Sequence, residues 1–323
     1  MDINTDFNLE RINLLDQWSG AGPKIASEQD YALCRKIMRG ASKNYSFASN
    51  FFTSEKMRHV EALYALMRVG DDRVDVSHQG FASPQAAIDD WELAYERAFA
   101  MGDSPEPVMR AYLQTAIQCG IPQDTMTAYF RAMRDDLTVT RFAEFQDLIY
   151  YMEGSAIPVG RAMTYILGVR EPYLVTDALP GADSLSIGMQ LSNFWRDIGY
   201  DWSIGRVYLP QEDLERFGYT EADIAAGRIN QTLVALLEYQ FERTECYYRH
   251  ARSAVPLLAN GQWAVMSGLE VYRAIIGGIR RNRYDVFTRR AGTNRAQKLA
   301  LACKAWAVAS LGRAAGNSPS LAG

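Results

Sequence analysis

Two short stretches put oxygen-bearing side chains where one helical face would collect them. In QLSNFWRDIGYDW, Gln190 to Trp202, the residues Asn193, Asp197 and Asp201 recur every four positions. In YALMRVGDDRVD, Tyr64 to Asp75, the pair Asp71 and Asp75 repeats that interval behind Arg68. Residues four apart on an α-helix lie about 6 Å apart along the axis and point the same way. Both runs are otherwise largely apolar, a setting in which an uncompensated carboxylate is costly and two opposed rows repel. A bound cation removes that cost. Carboxylate and amide oxygens without His or Cys suit a hard ion, Mg²⁺ or Mn²⁺, and Mg²⁺ usually combines a few carboxylates with phosphate oxygens of a substrate. The implied ligand is a polyphosphate. Arg68, Arg196 and the late stretch YDVFTRRAGTNRAQK, with Arg289, Arg290 and Lys298, supply cations that hold such a group and stabilise it as it leaves.

A single D-x-x-x-D generally marks a solvated face. Two of them, each in an apolar context and each beside an Arg, call for more than surface charge. Arg161, and the Arg134 to Asp136 triplet, read instead as helix-surface salt bridges.

The elements that must carry these columns are helical. The runs SEQDYALCRKIMRGASKNYSFASNFF, SEKMRHVEALYALMRVGDDRVD and SPQAAIDDWELAYERAFAMG place apolar residues every three or four positions, and strand alternation is scarce. Ser54, Ser83 and Asp183 stand where helix N-caps are expected, and Pro105, Pro122, Pro172 and Pro210 punctuate turns. No internal linker rich in Gly, Ser or Pro appears. The expected layout is an N-terminal extension over 1–24, one all-α domain over 25–312 and a frayed tail over 313–323.

Composition narrows the partners. The 323 residues are 48% hydrophobic and 22% charged with a formal charge of -4, so the basic excess expected of a nucleic-acid binder is absent. The four cysteines (Cys34, Cys119, Cys246, Cys303) and three histidines (His59, His78, His250) are scattered singly, which argues against a zinc site and for reduced, buried thiols. The start, MDINTDFNLERINLLDQW, has neither a basic beginning nor an apolar signal core, so a cytoplasmic location is expected. Leu299 to Leu311, interrupted by Lys304, falls short of the roughly 20 residues of a membrane span.

SKNYSFASNFF, ALYALMRVGDDRVD, YYMEGSAIPVG, QLSNFWRDIGYDW, GRVYLPQEDLERFG and YDVFTRR together resemble the squalene and phytoene synthases, over about Ala41 to Lys298. The resemblance implies the all-α isoprenoid synthase fold, in which two aspartate-rich helices face each other across a cavity and hold Mg²⁺ against prenyl diphosphate. It makes Asp71 and Asp75 the first aspartate motif, and Asn193, Asp197 and Asp201 the second, these five being the metal ligands. Ser42, Lys43, Arg68, Arg196, Arg290 and Lys298 match diphosphate-binding positions, and Tyr64, Tyr151, Gln190 and Tyr272 match positions lining the cavity. The chain departs from the pattern at Tyr200, where relatives commonly carry an acid, and at Glu153 to Ile157, which replaces a small apolar run.

The activity so implied is head-to-head condensation. One prenyl diphosphate ionises, the allylic cation is captured by the C2–C3 double bond of a second, and the cyclopropylcarbinyl diphosphate that results ionises and rearranges. Mg²⁺ and Arg stabilise the departing diphosphate, and an apolar, aromatic cavity shields the cations, with Tyr151, Phe47, Phe51 and Phe194 placed to contribute. The favoured product is phytoene from two geranylgeranyl diphosphates. The alternatives are squalene, hydroxysqualene or dehydrosqualene from farnesyl diphosphate, or a catalytically silent assembly protein. Ser42, Ser46 and Ser49 form a small-residue stripe that tilts the choice toward the longer substrate. No nicotinamide fingerprint follows a strand, and phytoene needs proton loss rather than hydride, so NADPH is not expected. Long hydrocarbon substrates and product place the work at a membrane surface without a spanning segment.

Overall fold

The computed structural model describes residues 25–41, 52–75 and 80–292. Ser42, Lys43, Ser46, Phe47, Ser49, Phe51, His78, Lys298 and Cys303 lie outside those residues, as do the 1–24 extension and the 313–323 tail. Among the described residues there are twelve α-helices, two 3-10 turns and no strand, only an isolated bridge between Val169 and Leu258. The all-α class expected from periodicity is what forms. The chain gathers into two compact units, Met1–Lys43 with Ser54–Gln123, and Asn44–Thr53 with Asp124–Gly323.

The first unit holds α1 (Glu28–Ala41), α2 (Ser54–Asp75), α3 (Pro84–Met101) and α4 (Pro107–Cys119). Ser27 and Asp30 cap α1 reciprocally, at 2.8 and 3.2 Å, and Arg110 of α4 grips the same Asp30 with two bonds. Ser83 caps α3 as expected, accepting from the Ala86 amide at 3.1 Å, with Pro84 at the first helical position where no amide is needed. Ser54 begins α2 rather than preceding it. The core between these helices takes Val60, Leu63 and Leu66 of α2, all fully buried, and the Trp91 indole donates to the Leu66 carbonyl at 3.2 Å.

The second unit holds α5 (Thr127–Asp135), α6 (Phe145–Ser155), α7 (Ile157–Leu167), α8 (Val175–Ser203), α9 (Gln211–Phe217), α10 (Glu221–Ala225), α11 (Gln231–Ala254) and α12 (Gln262–Arg281). The 29-residue α8 is its axis. It runs through Pro180, so Asp183 is not an N-cap but a mid-helix residue that pairs in two bonds, 2.9 and 2.8 Å, with Arg161 of α7. Tertiary packing keeps the helix running through the proline. At Gly181 a Cβ would lie 2.1 Å from the Ala254 Cβ, so only glycine admits α11 this close. Further along, Ser192 bonds Tyr248 at 2.7 Å and the Trp195 indole donates to Thr244 at 2.9 Å, which fixes the register of α8 on α11. Cys34 is buried as expected, but Cys246 is exposed on α11, because its helical phase points it away from α8.

Candidate active site

One face of α8 carries the site in the second unit. From Ala178 through Gly181, Leu185, Met189 and Gln190 to Asn193 it lines a cavity of about 330 Å³. Steps of three and four link Ala178, Gly181, Leu185, Met189 and Asn193 in one stripe with Gln190 at its edge, and the span of fifteen positions is about 22 Å at 1.5 Å per residue. Met163 and Leu167 of α7, Val255 and Leu258 after α11, and Phe52 complete apolar walls, with Tyr272 of α12 contributing. Gln190, Asn193 and Tyr272 therefore meet on one cavity. The unusual Glu153 to Ile157 run puts Ser155 and Ala156 on the wall and leaves Glu153 exposed.

Past Asn193 the same stripe turns ionic. Asp197 accepts two bonds from Arg290, both 2.8 Å, and two from Arg196, 2.8 and 2.5 Å. Arg290 gets there because Arg283 and Tyr284 take left-handed backbone angles, φ 57° and 61°, after α12 and turn the chain back onto α8. Gly199 lets it land: its amide donates to the Val286 carbonyl at 3.2 Å. Burial alone would raise the Asp197 carboxyl, but the two guanidiniums outweigh it and hold it below the usual range. One turn on, burial and the Asp197 charge push Asp201 up to about 7, against weaker help from Arg206, Arg196 and Arg290. Tyr200, beside it, is exposed. Arg289 does not join Arg290; it lies 3.8 Å from Asp285.

The donor set fits a hard divalent cation. Its groups are all oxygen, and Asp201 is a carboxylate short of positive charge. Among the described residues no three His, Cys or carboxylate side chains form a cage, so Asp197, Asp201 and the Asn193 amide would share such an ion with water and phosphate oxygens, which is how Mg²⁺ is commonly held.

In the first unit, Asp71 is half-buried on α2, and Arg68 pairs with Asp72 at 2.6 Å, a partner that the four-residue column did not single out. Tyr64 and Asp75 lie on the same helix. In the second unit, Tyr151, matched by resemblance to a lining position, is not among the residues that line this cavity: it is buried one turn before Ser155 on α6, its ring among Phe142, Phe194 and Tyr208. Phe194 is buried and stacks on Tyr208 at 3.9 Å. Asp136, read as surface, is instead bonded by Tyr151 and Arg206. Arg206 and Tyr208 were visible in GRVYLPQEDLERFG, yet nothing in their spacing announces a partner seventy residues away.

The squalene/phytoene synthase family model matches residues 38–297. The chain is 30% identical over 270 residues to a 15-cis-phytoene synthase of Synechococcus elongatus, covering 81% of this chain and 87% of that one. It is 31% identical over 271 residues to a phytoene synthase of Arthrospira platensis, with the same coverage of 81% and 87%. Among solved structures, a dehydrosqualene synthase with bound ligand matches at TM-score 0.80 and 25% identity, over 88% of this chain and 98% of that one. A squalene synthase from Alicyclobacillus acidocaldarius matches at TM-score 0.71 and 29% identity, over 80% and 95%.

Proposed function

Because this chain belongs to the squalene/phytoene synthase family and is a prenyltransferase of the head-to-head type, we propose that it condenses two geranylgeranyl diphosphates to phytoene. The α8 stripe carries this reading. A geranylgeranyl chain is a zigzag of sixteen main-chain carbons rising roughly 1.3 Å each, about 20 Å in all, against about 14 Å for a farnesyl chain. The lining stripe is about 22 Å from Ala178 to Asn193, apolar for about 16 Å as far as Met189 and polar at the end that would meet the diphosphate, and its whole length accommodates the longer chain. The dehydrosqualene and squalene synthases among the structural relatives favour farnesyl diphosphate as the second reading.

In this reading Asn193, Asp197 and Asp201 would hold Mg²⁺ or Mn²⁺, which when bound supplies Lewis acidity at the departing diphosphate, and Asp71 and Asp75 are assigned metal ligation by resemblance alone. Arg196 and Arg290 orient the phosphate oxygens, with Arg68, Ser42, Lys43 and Lys298 assigned to the same task by resemblance. Met163, Leu167, Leu185 and Met189 keep water from the allylic cation, so that it meets the second double bond instead of being hydrolysed. Tyr151 stabilises the cation, Tyr272 shapes the cavity, Tyr64 is assigned a lining position by resemblance alone, and a membrane surface delivers substrate and receives product.

The test offers geranylgeranyl and farnesyl diphosphates at matched concentrations to the purified protein with Mg²⁺ and without NADPH. Phytoene as the main product supports the proposal. Strong preference for farnesyl diphosphate, or a hydrocarbon formed only with NADPH, overturns it in favour of the second reading.

A further inference from the structure

Asp136, the residue that closes the C-terminus of α5, and Arg206, in the loop after α8, meet at the Tyr151 hydroxyl. Tyr151 donates to Asp136 Oδ1 at 2.7 Å. Arg206 Nη2 donates to the Asp136 main-chain oxygen, also at 2.7 Å, whereas its Nη1 is 3.5 Å from Oδ1 and bonds the Tyr208 hydroxyl at 3.1 Å. The lengths separate two jobs. Joining the two loops needs only the Arg206 bond to the main chain, and the carboxylate gives its short, charge-assisted bond to the phenol. The ring cannot turn away, since Phe142, Tyr208 and Phe194 pack around it with centroids at 5.3, 5.9 and 6.4 Å. The Arg206 amide also donates to the Asp201 carbonyl at 2.8 Å, so the assembly is tied to the last acid of the α8 column. On α6, Ser155 lies four residues beyond Tyr151 on the same face and lines the cavity.

We propose that Asp136 is a positioning residue for the condensation: steadied by Arg206, its carboxylate fixes the Tyr151 hydroxyl and polarises the phenol one turn of α6 behind the cavity wall at Ser155, so that the negative potential of the phenol acts through that wall on the carbocation left when diphosphate departs. The proposal rests on the head-to-head reading above and holds for either prenyl length. Burial, with the Asp136 charge adding to it, keeps the Tyr151 phenol well above its ordinary range, so it remains a neutral donor throughout. No proton leaves it. A hydrogen bond from a neutral donor to an ionised acceptor is roughly twice as strong as a neutral one, and a dipole already fixed in a dry site needs no reorganisation as charge develops.

Asp136→Asn, Tyr151→Phe, the double variant and Asp136→Glu test this, each assayed on whichever prenyl diphosphate the wild-type protein prefers. Geranylgeranyl preference is decided by the wild type alone, so failure of that reading is separate from failure here. Each single variant is expected to lower kcat for hydrocarbon roughly 10²-fold, with KM little changed and cyclopropylcarbinyl diphosphate released instead. The double variant should be no worse than either single one, as for groups acting as a unit. Asp136→Glu keeps the charge beside Arg206 but displaces the acceptor, and should melt like the wild type while losing the same step. Multiplying losses, an unchanged ratio of intermediate to hydrocarbon, or an Asp136→Glu variant as active as the wild type overturns the proposal and leaves Asp136 a loop staple.

Discussion

Gly199→Ala is expected to disable the site without touching a charged residue. An alanine Cβ there would lie 2.7 Å from Phe287 Cα, 2.9 Å from the Val286 oxygen and 3.2 Å from the Phe287 oxygen. Those are main-chain atoms, which cannot rotate aside as a side chain would. Ordinary carbon contact begins near 3.5 Å, so the segment must retreat by roughly 1 Å. Arg290 is three residues farther along, and its two 2.8 Å bonds to Asp197 would stretch past useful length. Such overpacking costs about 1–3 kcal/mol. The Arg290 pair adds little to that, because its side chain is 70% exposed. A total of about 2 kcal/mol lowers Tm by about 3 °C in a chain of this size. The functional loss is larger in proportion: misplacing one guanidinium that bonds a charged group is expected to lower kcat/KM roughly 10- to 100-fold. Calorimetry and steady-state kinetics on Gly199→Ala, Arg290→Ala and the double variant provide the measurement. The two kcat/KM losses should coincide and fail to add, since both remove the same contact. Wild-type kcat/KM in Gly199→Ala, or losses that multiply, would refute the reasoning.

Ala182→Leu fills the distal half of the cavity stripe and should shift preference from geranylgeranyl toward farnesyl diphosphate by roughly 10-fold or more, read by competition; an unchanged ratio removes the stripe as the measure of chain length. Asp201→Asn should lose most turnover, and chelation of divalent ions should silence the wild type, yet the variant should melt no lower at pH 8. The sign follows from a carboxyl raised from 3.8 to about 7: the stability it contributes is present below the unfolded value and lost as pH rises through 7, so an amide is the easier group to bury at pH 8. His59, 5% exposed and 3.0 Å from Thr115, is lowered from 6.5 to about 4, first by burial and then by Lys56 and Arg58. Its stability is intact above pH 6.5 and lost as pH falls through 4, about 3 kcal/mol in all, so His59→Gln should flatten the denaturant-measured slope across that window. An equal slope in both proteins would remove His59 as its source.

The sequence by itself determined what depends on near neighbours along the chain. Helical period places Asn193, Asp197 and Asp201 on one face, and the absence of His or Cys beside them is what suits that face to the hard cation proposed above. Ser83 followed by Pro84 starts a helix because both residues suit the same unpaired amides. The same period hides in Ala178 to Asn193 the stripe that becomes the cavity wall, but small residues at those steps serve close packing equally well, and only the walls from α7 and α12 make it a cavity. Tertiary structure decided every contact made by chain distant in sequence. Arg290 reaches Asp197 across 93 positions because two residues turn left-handed after α12 and Gly199 has no side chain to obstruct them. Asp183, expected as an N-cap, sits inside α8 because packing against α7 and α11 carries the helix through Pro180. Asp136, which in its own segment is one more charge near a helix end, becomes the partner of a buried phenol only when α6 and the loop after α8 close over it. Local propensity is a matter of a few tenths of a kcal/mol to about 1 kcal/mol per residue and can be read in a window; burial and charge pairing are larger and exist only once distant segments meet.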